Sequence, residues 1–135
     1  MTTLMLVRHG ETVDNANRIM QGQTQGQLNE TGIRQAEEVA ISLAGEHVDA
    51  VVSSDLKRSY DTACIIANKH GLDVSTTKLL QERDWGSFTG RYIPDLKEEK
   101  WPDDIESLDH LLYRAKIFLD FVRSEYPGHS VVAVG

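Results

Sequence analysis

Two side chains suited to a ligand site, Arg8 and His9, directly follow a short run of apolar residues near the start of the chain. The run, residues 4–7, predicts a strand that is buried on both faces of a sheet. Open α/β sheets bind their ligands at the carboxyl ends of such strands, where this cation and this imidazole would lie. Gly10 would let the backbone turn sharply and approach a ligand closely. The simpler alternative is a basic strand end that only leads into a turn.

A further cation, Arg58, is predicted in the first turn of a helix that follows a buried strand at residues 48–52. Ser54 or Asp55 is the candidate cap of this helix. A helix N-terminus presents free N–H groups and a positive dipole end to anions, and an arginine fork matches phosphate oxygens in a bidentate way. The alternative is that Arg58, like its neighbour Lys57, lies in solvent.

Strand patterns and amphipathic helix patterns alternate along the chain. Further strands are predicted at residues 72–75 and 130–134, and further helices over residues 30–44 and 105–126. This alternation predicts an α/β fold, a three-layer sandwich in which helices flank a largely parallel central sheet.

Three motifs together resemble the histidine phosphatase superfamily, which includes the cofactor-dependent phosphoglycerate mutases. The first is Leu-Val-Arg-His-Gly-Glu-Thr at residues 6–12. The second is segment 54–59, which is similar to the family pattern Ser-x-Leu-x-Arg-Ala except that Ser59 replaces the alanine. The third is the loop Glu-x-x-x-Gly-x-x-x-Gly at residues 82–90. The resemblance covers most of the chain.

The resemblance implies phosphomonoester hydrolysis and a role for each motif. His9 would attack phosphorus and become a phosphohistidine, while Arg8 and Arg58 would hold the phosphoryl oxygens. Glu82 would protonate the leaving oxygen, because an alkoxide is a poor leaving group unless it is protonated as it departs. The alternative for the Glu82 segment is a charged loop that two aromatic side chains anchor.

The polar stretch at residues 11–27 has no sustained apolar period and predicts a loop over the strand ends. Asn15, Gln21 and Gly22 resemble family positions that bind phosphate or substrate, and amides can donate hydrogen bonds to phosphate oxygens without adding charge. The alternative is a solvated loop built from turn-prone residues. The stretch also departs from the family, because residues 25–28 are Gln-Gly-Gln-Leu where many members have Asp-x-Pro-Leu.

Composition limits the class of partner. A chain of 135 residues with 40% hydrophobic residues fits one globular domain, and its net charge of −7 argues against nucleic acid or an acidic membrane as a partner. We expect a small phosphorylated metabolite instead. The single cysteine, Cys64, excludes an internal disulfide and weakly favours a cytoplasmic location. No cluster has metal-ligand spacing, so neither a metal nor another cofactor is expected.

Two other functions stay open. A mutase would use the same residues to return the phosphoryl group to a sugar acid, but segment 91–104 is short, as it is in the phosphatase branches. In the family, the strand that corresponds to residues 130–134 is followed by a second His, whereas this sequence stops at Gly135. We therefore expect a single domain over residues 1–135 that is truncated at its C-terminus. Without that His, the chain could be a phosphate-binding module with little catalysis.

Overall fold

The computed structural model describes all residues from 1 to 135 and contains one sheet of four parallel strands. The strands are β1 (Thr3–Val7), β2 (Ala50–Ser54), β3 (Val74–Thr77) and β4 (Ser130–Val134). Their order across the sheet is β1-β4-β2-β3, and every pairing is parallel. The predicted parallel sheet is therefore confirmed, although β3 begins two residues later than predicted.

Helices cover both faces of this sheet. They are α1 (Val13–Ala16), α2 (Glu30–Leu43), α3 (Lys57–Asn68) and α4 (Leu108–Glu125), and single 3₁₀ turns occur at Lys78–Leu80, Gly86–Phe88 and Ile93–Leu96. Neighbouring strand residues point to opposite faces. Val51 and Val132 accordingly pack with α2 and α3, whereas Val52 and Val131 pack with α4. The three-layer α/β architecture is as predicted.

The prediction that β1 is buried on both faces is wrong. β1 pairs only with β4 and forms an edge of the sheet, and its residue Leu6 is 75% exposed. In contrast, Val131–Val134 of the neighbouring β4 are almost fully buried. A run of apolar residues does not distinguish an edge strand from a central one, because only the pairing of distant strands decides that position.

The predicted helix caps are partly confirmed. Asn29 caps α2 as its sequence indicates, and its Oδ1 accepts a hydrogen bond of 2.8 Å from the Gly32 N–H. For α3 the expected cap is wrong, since Leu56 holds the N-cap position and supplies no side-chain bond. Ser54 lies at the end of β2, so its hydroxyl reaches only the Leu56 N–H, at 3.1 Å.

The segment between β1 and α2 crosses the ends of the strands, as the sequence predicts, but it contains the short helix α1. Thr12 and Asn15 form a capping box at its start, in which each side chain accepts from the other residue's backbone N–H. Isolated bridges join Thr12 to Leu28 and Ile19 to Tyr92. No helix in this fold is both long and apolar enough to span a bilayer.

Candidate active site

His9 lies just past β1, where two backbone hydrogen bonds hold the chain against the end of β4. The Gly135 N–H donates to the Val7 carbonyl at 3.0 Å, and the His9 N–H donates to the Gly135 carbonyl at 3.0 Å. The His9 Nδ1–H donates to the Gly10 carbonyl at 2.7 Å. Because a neutral imidazole carries one proton, this bond leaves the lone pair on Nε2 available.

The pKa of His9 lies below its ordinary value. Burial is the main cause, because it disfavours the charged imidazolium, and the positive charges of Arg58 and Arg8 lower the pKa further. The Gly10 carbonyl and the negative charge of Glu82 act in the opposite direction but do not prevail. His9 is therefore neutral at neutral pH, which is the form that a nucleophile needs.

Gly10 matters for packing rather than for a sharp turn. A Cβ at this position would lie 2.3 Å from the Gly32 carbonyl oxygen, so the chain after His9 crosses directly against the first turn of α2. The Gly10 N–H donates to the Thr62 hydroxyl at 3.1 Å, and that hydroxyl donates to the Arg58 carbonyl at 2.8 Å. Thr62 thereby connects α3 to the nucleophile, a role that its position in a helical pattern did not reveal.

A cavity of about 490 Å³ opens beside His9. Its walls combine the strand end with α1 and the second and third turns of α2, and the lining residues are Arg8, His9, Gly10, Glu11, Asn15, Gln35, Ala36 and Val39. Arg8 is exposed, and its guanidinium makes no hydrogen bond or ion pair within the protein. The sequence patterns did not predict that Glu11 and Gln35 line this cavity. The two residues meet there because the Glu11 N–H donates to Gln35 Oε1 at 2.9 Å.

Arg58 is 1% exposed and reaches the loop that precedes α2. Its Nη1 donates to the Thr24 carbonyl and its Nη2 to the Gly22 carbonyl, each at 2.6 Å. Only two of the five guanidinium N–H groups are used in these bonds. Burial lowers the pKa of Arg58 from its ordinary value, while the charge of Glu82 opposes this effect.

The expectation that the N-terminus of α3 offers free N–H groups to an anion requires correction. Gln25 covers this end of the helix, since its side-chain Oε1 accepts from the Lys57 N–H at 3.0 Å and its carbonyl from the Arg58 N–H at 3.4 Å. Gln25 begins the stretch that departs from the family pattern. The side chain of Arg58, and not the end of its helix, is therefore the group available to an anion.

Only one of the three predicted substrate-binding residues lines the cavity beside His9. Asn15 lines the cavity with His9, although its Oδ1 is engaged with the Thr12 N–H. Gln21 is 7% exposed and accepts a 2.7 Å hydrogen bond from the Thr12 hydroxyl, outside the cavity lining. Gly22 supports Arg58 through its carbonyl. The substrate contacts of all three stay predictions.

Glu82 is exposed, and its carbonyl accepts a 3.2 Å hydrogen bond from Gln23 Nε2, next to the two carbonyls that bind Arg58. The negative charge of Glu82 raises the pKa of both His9 and Arg58. Its Oε1 accepts from the Arg83 N–H at 2.7 Å. The Trp85 ring contacts Trp101 edge to face at 5.3 Å between centroids, and the Arg83 guanidinium lies 5.0 Å from the Trp85 centroid. These aromatic side chains hold Arg83 and thereby shape the loop after Glu82.

An imidazole with a free Nε2, two unneutralised arginine side chains and a carboxylate thus share one end of a parallel α/β sheet. These groups can bind a tetrahedral anion and can exchange both a proton and a phosphoryl group. A family model of the histidine phosphatase superfamily (branch 1) matches residues 4–135. The chain belongs to the histidine phosphatase superfamily.

Individual relatives add detail. The chain is 44% identical over 103 residues to the probable phosphoglycerate mutase GpmB of Yersinia pestis, a match that covers 75% of this chain and 48% of that protein. The chain thus spans about half the length of the curated relatives it matches. The prediction that it ends before the family's second His is not tested by this difference and stays a prediction.

Solved structures give the same fold. Bacillus stearothermophilus YhfR superposes with a TM-score of 0.93 at 25% identity, covering 99% of this chain and 73% of that one. A mycobacterial glucosyl-3-phosphoglycerate phosphatase complexed with VO3 has a TM-score of 0.89 at 29% identity, covering 98% and 74%. A phosphoserine phosphatase variant from Entamoeba histolytica in complex with phosphoserine has a TM-score of 0.85 at 29% identity, covering 100% and 74%.

Proposed function

We propose that this chain carries the catalytic residues of a phosphomonoesterase that works through a phosphohistidine on His9. The observation that carries the proposal is the state of that imidazole. Its Nδ1–H is fixed on the Gly10 carbonyl, its Nε2 lone pair is unused, and its pKa is lowered by burial and by two nearby arginines. A neutral, oriented imidazole beside two cations suits attack on a phosphate ester.

In the first step the Nε2 lone pair of His9 forms a bond to phosphorus as the phosphorus–oxygen bond to the leaving group breaks. Arg8 and the unused donors of Arg58 bind the phosphoryl oxygens and offset the negative charge that the transition state concentrates there. Glu82, in its protonated form, gives its proton to the departing oxygen, which leaves as an alcohol.

In the second step a water molecule cleaves the phosphohistidine. The Glu82 carboxylate accepts a proton from this water as its oxygen bonds to phosphorus, and the phosphorus–nitrogen bond breaks. Inorganic phosphate leaves, His9 regains its Nε2 lone pair and Glu82 is again protonated. The same two side chains therefore complete the cycle with no group left over.

The proposed substrate is a small phosphorylated metabolite. A net charge of −7 opposes large polyanions, so a phosphate must be recognised by local cations such as Arg8 and Arg58. The names of the similar structures agree with this class, since one neighbour is a glucosyl-3-phosphoglycerate phosphatase and another binds phosphoserine.

The proposal is tested by trapping the phosphoenzyme. We expect the 135-residue chain, mixed with a ³²P-labelled phosphomonoester and quenched in alkali, to carry an acid-labile label. We expect His9→Ala to abolish the label and to reduce turnover at least about a thousandfold, because the nucleophile is lost. His47→Ala is the matched control, since His47 is 80% exposed and pairs only with Asp49.

A label that survives in His9→Ala would refute the assignment of the nucleophile. Absence of any label in the unmodified chain, together with binding of vanadate or phosphate, would instead support the reading of this chain as a phosphate-binding module. Binding is measured by calorimetry in the same samples, so that the two outcomes are separated.

A mutase is the second candidate, because the curated relatives include the probable phosphoglycerate mutase GpmB. Hydrolysis and transfer differ in the fate of the phosphoryl group. Return of the label from the phosphoenzyme to a glycerate acceptor, faster than its release as phosphate, would favour the mutase. Release to water in the presence of the acceptor would favour the phosphatase.

A further inference from the structure

Arg114, in the middle of α4, makes five hydrogen bonds, one for each N–H of its guanidinium. Two of these go to the carboxylate of Glu106: Nε donates to Oε2 and Nη2 to Oε1, each at 2.7 Å. The pair is largely shielded from water, with side chains that are 12% and 5% exposed. A planar fork held at both ends in this way has a fixed position.

The other three bonds go to the backbone that leads into Glu82. Nη1 donates to the carbonyls of Leu79 and Gln81 at 3.0 and 2.9 Å, and Nη2 donates to the carbonyl of Glu82 at 3.4 Å. This stretch is a 3₁₀ turn followed by irregular chain. It has no sheet or long helix to position it, so these contacts with α4 define its path.

Glu106 holds the chain on the other side of Glu82. Its Oε1 accepts from the Asp84 N–H at 3.1 Å, and its own N–H donates to the Asp84 carbonyl at 2.8 Å. The Glu106 carbonyl also accepts from the Arg83 Nε at 2.8 Å. Its Oε2 is shared with the ring of His110. The backbone before and after Glu82 is thus tied to one ion pair.

We infer that Arg114 and Glu106 are positioning residues that set the place of the Glu82 carboxylate relative to His9. This inference rests on the proposed function, in which Glu82 transfers the proton. All five guanidinium N–H groups of Arg114 are bonded within the protein, so Arg114 has no donor left for a phosphoryl oxygen. Proton transfer demands that donor and acceptor atoms come within hydrogen-bond distance, and a misplacement of about 1 Å can cost about a hundredfold in rate.

The first test measures the loop itself and needs no activity. We expect Arg114→Gln to speed backbone hydrogen exchange in segment 81–84, while exchange in β4 stays slow. Arg123→Gln is the matched control, since Arg123 lies on the same helix, is 75% exposed and approaches only Asp120. Unchanged exchange in segment 81–84 of Arg114→Gln would overturn the inference, whatever the chain's activity.

The second test asks whether the loop acts through Glu82. We expect Arg114→Gln to lower turnover of an alkyl phosphate about a hundredfold, and that of p-nitrophenyl phosphate much less, because nitrophenolate leaves without a proton. Adding Arg114→Gln to Glu82→Gln should cost little more on the alkyl ester, since both changes remove the same proton transfer. Equal losses on both esters, or fully additive losses, would overturn the inference.

Failure of the proposed function gives a different pattern. If Glu82 is not the proton donor, Glu82→Gln alone lowers turnover of the alkyl ester and of p-nitrophenyl phosphate by the same factor. The hydrogen-exchange result then still decides whether Arg114 positions the loop. Should Arg114→Gln fail to fold, Arg114→Lys takes its place in both tests. A lysine keeps the charge beside Glu106, but three N–H groups on one atom cannot reach the same five acceptors.

Discussion

Arg58 and Arg114 are both arginines with little exposure that donate to backbone carbonyls of an irregular segment, yet their side chains are used differently. Arg58 donates two of its N–H groups to the carbonyls of Gly22 and Thr24 and makes no ion pair. Arg114 uses all five and neutralises Glu106. Burial alone therefore does not mark an arginine as a ligand-binding group. The number of unused donors does, because only an unused donor can bind a phosphoryl oxygen.

The same contrast separates the two regions of the site. The nucleophile region is held by backbone packing, since His9 is bonded to the end of β4 and Gly10 lies against Gly32 of α2. The Glu82 region is held by side chains, chiefly the Arg114–Glu106 pair. Backbone packing tolerates no added atom, whereas a side-chain network depends on charge and therefore on pH.

Among the substitutions that test this contrast, Arg58→Gln is expected to have the largest effect. Arg58→Gln should lower kcat/KM for every phosphomonoester by about 100- to 1000-fold, because it removes donors to the transition state. It also removes a positive charge that lowers the pKa of His9. The acidic limb of the pH–rate profile should therefore move to higher pH. Steady-state kinetics from pH 4 to 8 measure both effects.

The neighbouring Lys57 supplies the control. Lys57 is 53% exposed and pairs with Asp61, so Lys57→Gln should change neither kcat/KM nor the position of the acidic limb of the pH–rate profile. A rate loss in Arg58→Gln that is as small as that of Lys57→Gln would mean that Arg58 does not bind the phosphoryl group.

A middle effect is expected where two backbone segments cross. In Gly32→Ala the added Cβ would lie 2.0 Å from the Glu11 carbonyl oxygen. The overlap should cost about 1–3 kcal/mol in the free energy of unfolding. This cost outweighs the roughly 1 kcal/mol that an alanine gains over a glycine in a helix, so the variant should be less stable. Denaturant unfolding measures the change. Gly45→Ala is the control, because nothing lies within 4 Å of its added Cβ. If Gly32→Ala and Gly45→Ala have the same free energy of unfolding, the close contact between the Gly32 and Glu11 backbones is contradicted.

The smallest effect is expected in the pH dependence of stability. Hydrogen bonds from Arg114 lower the pKa of Glu106 to about 2 from the usual 4.5. A carboxyl whose pKa is lower in the folded state stabilises the fold fully above its unfolded value, and that contribution is lost as the pH falls from about 4.5 to about 2. Glu106→Gln should therefore flatten the fall in unfolding free energy over this window.

Urea unfolding at several pH values between 2 and 7 tests this expectation. Asp120→Asn is the matched carboxyl-to-amide control, since Asp120 is 64% exposed and its approach to Arg123 is 3.9 Å. If the two variants have the same pH dependence, Glu106 is not the anchor of the Glu82 region.

Local patterns predicted much of this protein, and the reason is visible in particular segments. The apolar run at residues 130–134 coincides with β4, and the Asn29 cap marks the start of α2. The predicted place of Arg58 in the first turn of a helix is confirmed by α3. Each of these features depends on residues close together in the chain, where periodicity and capping act.

The sequence by itself determined the parallel α/β class, the superfamily motifs and the neighbourhood of His9 at a strand end. Only the tertiary structure decided that β1 is an edge strand, that Gln25 covers the start of α3 and that Gly10 crosses Gly32. It alone brought Arg114 to the carbonyl of Glu82, 32 residues away. Such contacts join segments distant in the chain, and no local period or cap encodes which of them will meet.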